Sequence, residues 1–224
     1  MNRGLATRLE PGLFILVPFE LGRERQYLGN PYVVARELAD TPEYYVSHAS
    51  AMDLHHMVTQ PQFTVFLTSP KAIRPRVVLG TEFRFVRCKP EDMFGITDAW
   101  ATKTERVRVS DVERTVIDGL KQPEHCGGIT EVGKGLWMRR DVIAVPRLVD
   151  YALRLGVGAV VRRLGFLLEA FDIAGPAEIE RLRAELTTTY ALLDPVMPAE
   201  GPWSSRWRVR VNVEPEELRS LVRT

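Results

Sequence analysis

Two hydrophobic rhythms divide this chain of 224 residues, and the order in which they come limits the folds open to it. In the first half, apolar residues come in short alternating runs, as at Phe83 and Phe85 with Arg84 and Arg87 interleaved, and turn residues punctuate them. From Ile129 onward they recur at helical spacing, over Ile129–Arg139, Val145–Leu155, Val157–Phe171 and Pro176–Thr188. Alternation buries one face of a strand, whereas helical spacing gathers apolar side chains on one stripe of a helix. Strand runs joined as hairpins and then followed by helices, without alternating βα units, predict an α+β fold: antiparallel and mixed strands in the first half packed with a mainly helical second half.

Local signals place the elements. Ala6–Leu9 and Leu13–Val17 flank the turn Glu10-Pro11-Gly12 and read as a hairpin. Asn30-Pro31 pairs an N-cap with proline at the first helical position, so a helix should run to Ala39. Tyr44–Val46 is a short strand, and Ser47 then caps a helix through Met57. Strands follow at Gln62–Thr68, Arg76–Leu79 and Glu82–Arg87, the last two joined at Gly80-Thr81, and Thr97–Ala101 pairs with Arg106–Val109. Ser110-Asp111-Val112-Glu113 has the form of a capping box, with Ser110 as the cap and Glu113 reaching back to it, opening a helix to Leu120. The chain closes with a strand at Trp207–Val213 and a helix from Pro215.

Composition bounds function mostly by exclusion. Hydrophobic residues at 45% support a substantial core, and 30 basic against 29 acidic side chains leave a formal charge of +1. No global field therefore draws the protein to nucleic acid or a membrane surface, and any such contact must rest on a local patch. Cys88 and Cys126 lack the density of a disulfide scaffold, which fits a reducing compartment. No apolar run approaches the roughly 20 residues that span a bilayer, and the start MNRGLATRLEPG lacks the apolar core of a signal peptide. A cytoplasmic protein is the expectation.

No constellation of residues announces an enzyme. His48 and His55 would share a helix face near Asp53, with His56 turned away, but the metal-protease spacing is missing. Asp111, Glu113, Arg114 and Asp118 crowd one helix start; there the cap accounts for Glu113, and Arg114 with Asp118 makes an ordinary surface pair one turn apart. Gly127-Gly128 falls short of a phosphate loop, Gly133-Lys134-Gly135 lies inside a helix, and the adjacent His125 and Cys126 lack an orienting partner. No catalytic residue, metal or cofactor is assigned. The strongest surface signal is basic: Arg139, Arg140, Arg147, Arg154, Arg162 and Arg163 form the candidate partner-binding set, although Gly156 and Gly158 divide the segment into two helices.

Several pieces of the chain also resemble one known family. They are Tyr45, Ser47, His48, Ser50 and Ala51; FRFVRCKPEDMFGI at Phe83–Ile96; VSDVERTVIDGL at Val109–Leu120 with PEHCGGITEV at Pro123–Val132; and RRLGFLLE at Arg162–Glu169. Together they resemble the AbiEi antitoxins of type IV toxin–antitoxin operons. That resemblance implies an N-terminal winged helix that binds the operon's own promoter and a C-terminal domain that counteracts an AbiEii-like nucleotidyltransferase toxin. Here residues 1–22 read as a wing-like remnant and residues 23–224 as the antitoxin domain, with Arg3 and Arg8 left as candidates for weak operator DNA contact through phosphates. The rival expectations are a DNA-binding transcriptional regulator without a toxin partner, and an enzyme that modifies the toxin or cleaves nucleic acid.

Overall fold

The computed structural model describes residues 6–17, 27–58, 63–214 and residue 218. An antiparallel hairpin of β1 (Ala6–Glu10) and β2 (Leu13–Leu16) comes first, then α1 (Pro31–Ala39). Asn30 caps α1 as its sequence predicts, its side-chain oxygen accepting from the amides of Tyr32 and Val33. Strands β3 (Tyr45–Val46), β4 (Thr64–Ser69), β5 (Arg76–Val78), β6 (Thr81–Arg87), β7 (Ile96–Trp100) and β8 (Arg106–Ser110) follow, with α2 (His48–Leu54) after β3. They build one six-stranded sheet in the order β5-β6-β4-β3-β8-β7. The sheet is mixed: β4 runs parallel to β6 and β3 parallel to β8, while the other neighbours are antiparallel.

The helical half comprises α3 (Val112–Lys121), α4 (Ile129–Met138), α5 (Val145–Leu155), α6 (Gly158–Ala170) and α7 (Pro176–Ala184). A small three-stranded sheet of β9 (Ala191–Leu192), β10 (Trp203–Ser204) and β11 (Val209–Arg210) packs after it. The α+β expectation holds. No described helix is long and apolar enough to cross a membrane.

The two faces of the large sheet differ in chemistry. Val46, Val65, Leu67, Phe83, Val107 and Val109 form one core with Val34, Ala35 and Leu38 of α1, and Leu9, Leu13 and Ile15 of the hairpin lie against it. Strand alternation sends Tyr45, Phe66, Thr68 and Ser110 to the opposite face, toward α2 and α3. A second core joins Ile117, Leu120, Leu136, Leu148 and Leu164 of α3 to α6. The sheet is thus oily toward α1 and polar toward the helical half.

Several boundaries differ from the sequence expectations for stated reasons. Helix α2 ends at Leu54 rather than Met57, because His56 takes a left-handed φ of 54° and the Met57 amide returns to the Met52 carbonyl at 2.8 Å. Helix α7 ends at Ala184 rather than Thr188, where the amides of Glu185 and Leu186 turn back to the Leu182 and Arg183 carbonyls in tighter i→i−3 bonds, and Arg162 then holds the carbonyls of Thr187 and Thr189 in the segment that follows. The strand expected over Trp207–Val213 shrinks to Val209–Arg210, after a turn in which Arg208 has φ 52°. The helix expected from Pro215 lies outside the described residues except for Leu218, which is helical and buried.

Trp207 explains why glycine occupies the middle of α6. Its ring is 1% exposed and its indole N–H donates to the Glu169 carboxylate at 2.8 Å, so it has little room to yield. A Cβ on Gly165 would stand 2.0 Å from that ring. Gly165→Ala should therefore destabilise the fold by about 1–3 kcal/mol through overpacking, against the roughly 1 kcal/mol that alanine gains in an exposed helix. A urea titration measures it, and Trp207→Leu in the same chain should recover part of the loss. A raised unfolding midpoint for Gly165→Ala alone would contradict this packing.

Candidate functional site

A buried polar network occupies the joint between the sheet and the helical half. Arg114 on α3 is 1% exposed, and its Nε donates to Asp118 Oδ1 at 2.9 Å while Nη2 donates to the Tyr45 hydroxyl at 3.1 Å. The pair expected on the surface is therefore interior. Sequence spacing places the two residues one turn apart on α3, but it is β3, supplying Tyr45, that buries them. The Arg114 guanidinium lies 4.2 Å over the Phe94 ring, and Arg154 from α5 lies 4.0 Å over the same ring. Burial lifts the Asp118 carboxyl above its usual range and the Arg114 charge opposes that rise. For Arg114 burial alone would lower the value, but the neighbouring carboxylate and Tyr45 override it, so the guanidinium keeps its proton.

Hydroxyls and imidazoles continue the network. The Thr68 hydroxyl donates to Ser47 Oγ at 2.8 Å, Ser50 Oγ accepts from the Phe66 amide at 2.9 Å, and Ser110 Oγ meets Thr115 Oγ1 at 2.8 Å. His55 Nε2 lies 2.6 Å from the Ser110 carbonyl, a contact that requires the proton on Nε2. Burial lowers the His55 imidazole, and Arg139 nearby lowers it further, against the Ser110 bond. His48 has a left-handed φ of 52° and lies edge-on to His125, with ring centroids 5.2 Å apart, beside Phe66. Burial first, and then His125, push the His48 imidazole down to about 3. His48 and His55 thus serve different partners and do not converge. Among the described residues no group of three or more His, Cys, Asp or Glu side chains is placed to hold a metal.

The capping box expected at Ser110 is displaced by one residue. Asp111 is the N-cap of α3: its Oδ1 accepts from the Arg114 amide at 2.7 Å, and its Oδ2 accepts from the Tyr151 hydroxyl at 2.9 Å. Glu113 does not reach back. It is buried, and its carboxylate instead accepts from the Ala144 amide at 2.7 Å and from Arg147 Nη2 at 2.8 Å, tying α3 to the start of α5. The Gly127-Gly128 turn at the start of α4 is likewise occupied: buried Asp194 accepts from the Ile129 amide at 2.8 Å, where an anion would sit. Cys126 is buried and its thiol is pushed well up, by burial first, so no activated His125–Cys126 nucleophile forms.

The six candidate arginines separate into two groups. Arg140, Arg147 and Arg154 are exposed and Arg139 is half-buried at the C-cap of α4. Arg140 lies 4.0 Å over the Trp137 ring, and Arg147, Tyr151 and Arg154 form one stripe of α5. Met138 and Val142 are exposed between these arginines. Arg162 and Arg163 do not belong to this face, because both are buried and hold backbone carbonyls. Arg163 donates to Leu192 O at 3.1 Å and Leu120 O at 2.6 Å, and Arg162 donates to Thr189 O at 3.1 Å. Arg8 is exposed on β1, where its Nε donates to the Glu10 carbonyl at 3.3 Å, and Arg3 lies outside the described residues.

Sequence reasoning missed the partners of Arg114 and Glu113, and it missed Asp194 altogether. For Asp194 one signal was available: α4 begins after two glycines, which carry no capping side chain, so the cap had to come from elsewhere.

Two expected outcomes follow from the network. Asp118→Ala leaves the Arg114 charge buried and unpaired and should cost about 3–5 kcal/mol, whereas Arg114→Met combined with Asp118→Leu should cost far less. Denaturant unfolding of both variants decides it; a single-variant loss no larger than a surface change would mean that the pair is not confined. The second concerns acid. The folded value of His48 near 3 is below its unfolded value of 6.5, so the unfolded state binds the extra proton between the two and stability falls as pH drops through that window. The slope should approach ~1.4 kcal/mol per pH unit from this residue. His48→Asn, which tolerates the left-handed backbone, should flatten the profile; parallel profiles for the two proteins would remove His48 as the source.

No protein-family model matches the sequence, and no curated protein matches it. Among solved structures, the fold is similar to that in the crystal structure of the RV2827C protein from Mycobacterium tuberculosis, with a TM-score of 0.70 and 17% identity over 98% of this chain and 79% of that one. At that identity the similarity speaks to the fold.

Proposed function

We propose that this chain is an AbiEi-like antitoxin of the cytoplasm, not itself an enzyme, that counteracts an AbiEii-like nucleotidyltransferase toxin. The observation that carries the reading is the meeting of the resemblance-bearing pieces. Tyr45 and Ser47 from one, and Ser110, Arg114 and Asp118 from another, lie far apart in the chain yet share one buried network. Residues repeated across a family for framework reasons are expected to meet in this way. The surface left for a partner is then the exposed arginine face of α4 and α5. Arg140 and Arg154 present guanidinium groups ordered by Trp137 and Phe94, suited to bidentate contact with carboxylates of the toxin or phosphates of its substrate. Operator contact through Arg8 would be weak and unselective, since phosphate contacts position a protein without reading sequence.

The test is rescue of cells arrested by an AbiEii-like nucleotidyltransferase. Arg140→Glu combined with Arg154→Glu should abolish rescue, while Arg181→Glu combined with Arg183→Glu, which breaks pairs with Asp150 and Glu180, should have a mild effect. Arg147 is left intact because reversing it would set a second carboxylate against buried Glu113. A thermal melt confirms that both variants fold. Full rescue by the folded first variant would place the functional surface elsewhere; failure of the unaltered chain to rescue would reject the antitoxin reading.

A further inference from the structure

A pocket of about 520 Å³ opens between the start of α6 and the segment that follows α7. Arg162 lines it and is 3% exposed. Three of its donor directions are taken: Nε by the Thr189 carbonyl, and Nη2 by the hydroxyls of Thr187 at 2.7 Å and Thr189 at 2.9 Å. Among the described residues Nη1 has no hydrogen-bond partner, and it stands beside the Gly158 backbone, where a Cβ would come within 2.5 Å of it. No carboxylate among the described residues pairs with Arg162, and the like charge of Arg208 acts on it. Burial and that repulsion lower the guanidinium below its ordinary value. The amides of Gly158 and Ala159 lie in the first turn of this 13-residue helix, where the helix ladder supplies no acceptor, and Val157 provides no side-chain cap. The Thr187 and Thr189 hydroxyls touch at 3.0 Å, so one of their two protons remains to donate outward.

Tyr190 lines the same pocket and is 47% exposed, with its ring edge-on to Trp203 at 5.0 Å. Trp203 is itself 58% exposed. A concentrated set of unused donors therefore adjoins an open aromatic pair.

We propose that this pocket binds a mononucleotide, with the phosphate held by Arg162 Nη1, the Gly158 and Ala159 amides and a threonine hydroxyl, and the base against Tyr190. Free amides at a helix start and an arginine without a counter-ion both favour a phosphate dianion. The aromatic pair supplies a stacking surface that accepts any base. Glu185 lines the pocket as well and would repel the phosphate, but its side chain is on the exposed rim. The inference is independent of the antitoxin reading, because none of these residues belongs to the arginine face of α4 and α5.

The experiment is a titration of the isotope-labelled full chain with AMP, adenosine and inorganic phosphate, followed by the amide resonances of Gly158 and Ala159. AMP should move both amides saturably; phosphate should move the same amides roughly tenfold more weakly, and adenosine should leave them in place. Thr187→Val combined with Thr189→Val should weaken AMP by roughly tenfold, and Tyr190→Ala should bring AMP to the affinity of phosphate. Tyr190 is exposed and makes no hydrogen bond to Arg162, and a thermal melt checks that the double threonine variant, which removes two of the four acceptors of Arg162, still folds; Arg162→Met would strip all four. Amides unmoved by millimolar AMP would overturn the site. Phosphate binding as tightly as AMP would overturn the nucleotide and leave an adventitious ion only.

Discussion

The contact of Arg114 with Asp118 and Tyr45 is the constraint on which the arrangement of the two halves depends. On its α1 side the sheet meets apolar side chains, whose attraction scales with area and has no direction. On its other side it meets α3 through the hydrogen bond from Arg114 to Tyr45, with Asp118 one turn along the same helix holding the guanidinium in place, and such a bond works only at one separation and one orientation. Burying both charges costs desolvation that the pair roughly offsets, so its net contribution to stability is small. Phe94 extends the joint outward, with the guanidinium groups of both Arg114 and Arg154 over its ring. A cation at the surface of α5 thereby shares a ring with a buried one on α3.

Glu113 does for α5 what Arg114 does for the sheet. One carboxylate satisfies the Ala144 amide at the foot of the helix and the Arg147 guanidinium above it. Four charged or polar positions within the stretch Ser110–Asp118 therefore face three separate parts of the fold: Ser110 toward β3, Asp111 and Glu113 toward α5, and Arg114 toward β3 and Phe94. A segment that reads locally as a solvated helix start is the hub of the fold.

Much of the fold was legible because its signals are local. Asn30-Pro31 caps and starts α1, Gly156 ends α5 in the left-handed conformation, and alternation at Phe83 and Arg84 assigns the faces of β6. Boundaries failed where tight turn bonds close a helix early, as the amides of Glu185 and Leu186 do at the end of α7. The candidate site was legible only in part because its contacts come from distant parts of the chain. Arg154 and Arg162 are the same residue type in adjacent helices, yet one is exposed and the other is enclosed by a segment some 25 residues later in the chain. Exposure of an arginine is decided by carbonyls that its own neighbourhood does not contain.

Asp194 carries a consequence for how the chain assembles. It closes the N-terminus of α4 from 65 residues downstream, and its own position is held by Asn212, whose side-chain oxygen accepts from the Asp194 amide at 2.9 Å. While the polypeptide is being synthesised, the first turn of α4 therefore emerges with an open amide end, and the two glycines before it keep that end conformationally loose. The helix reaches its final form only after the small C-terminal sheet has been made. Closure of so long a loop is slow compared with helix growth, so the last fifth of the chain acts as the latch that completes a helix near its middle.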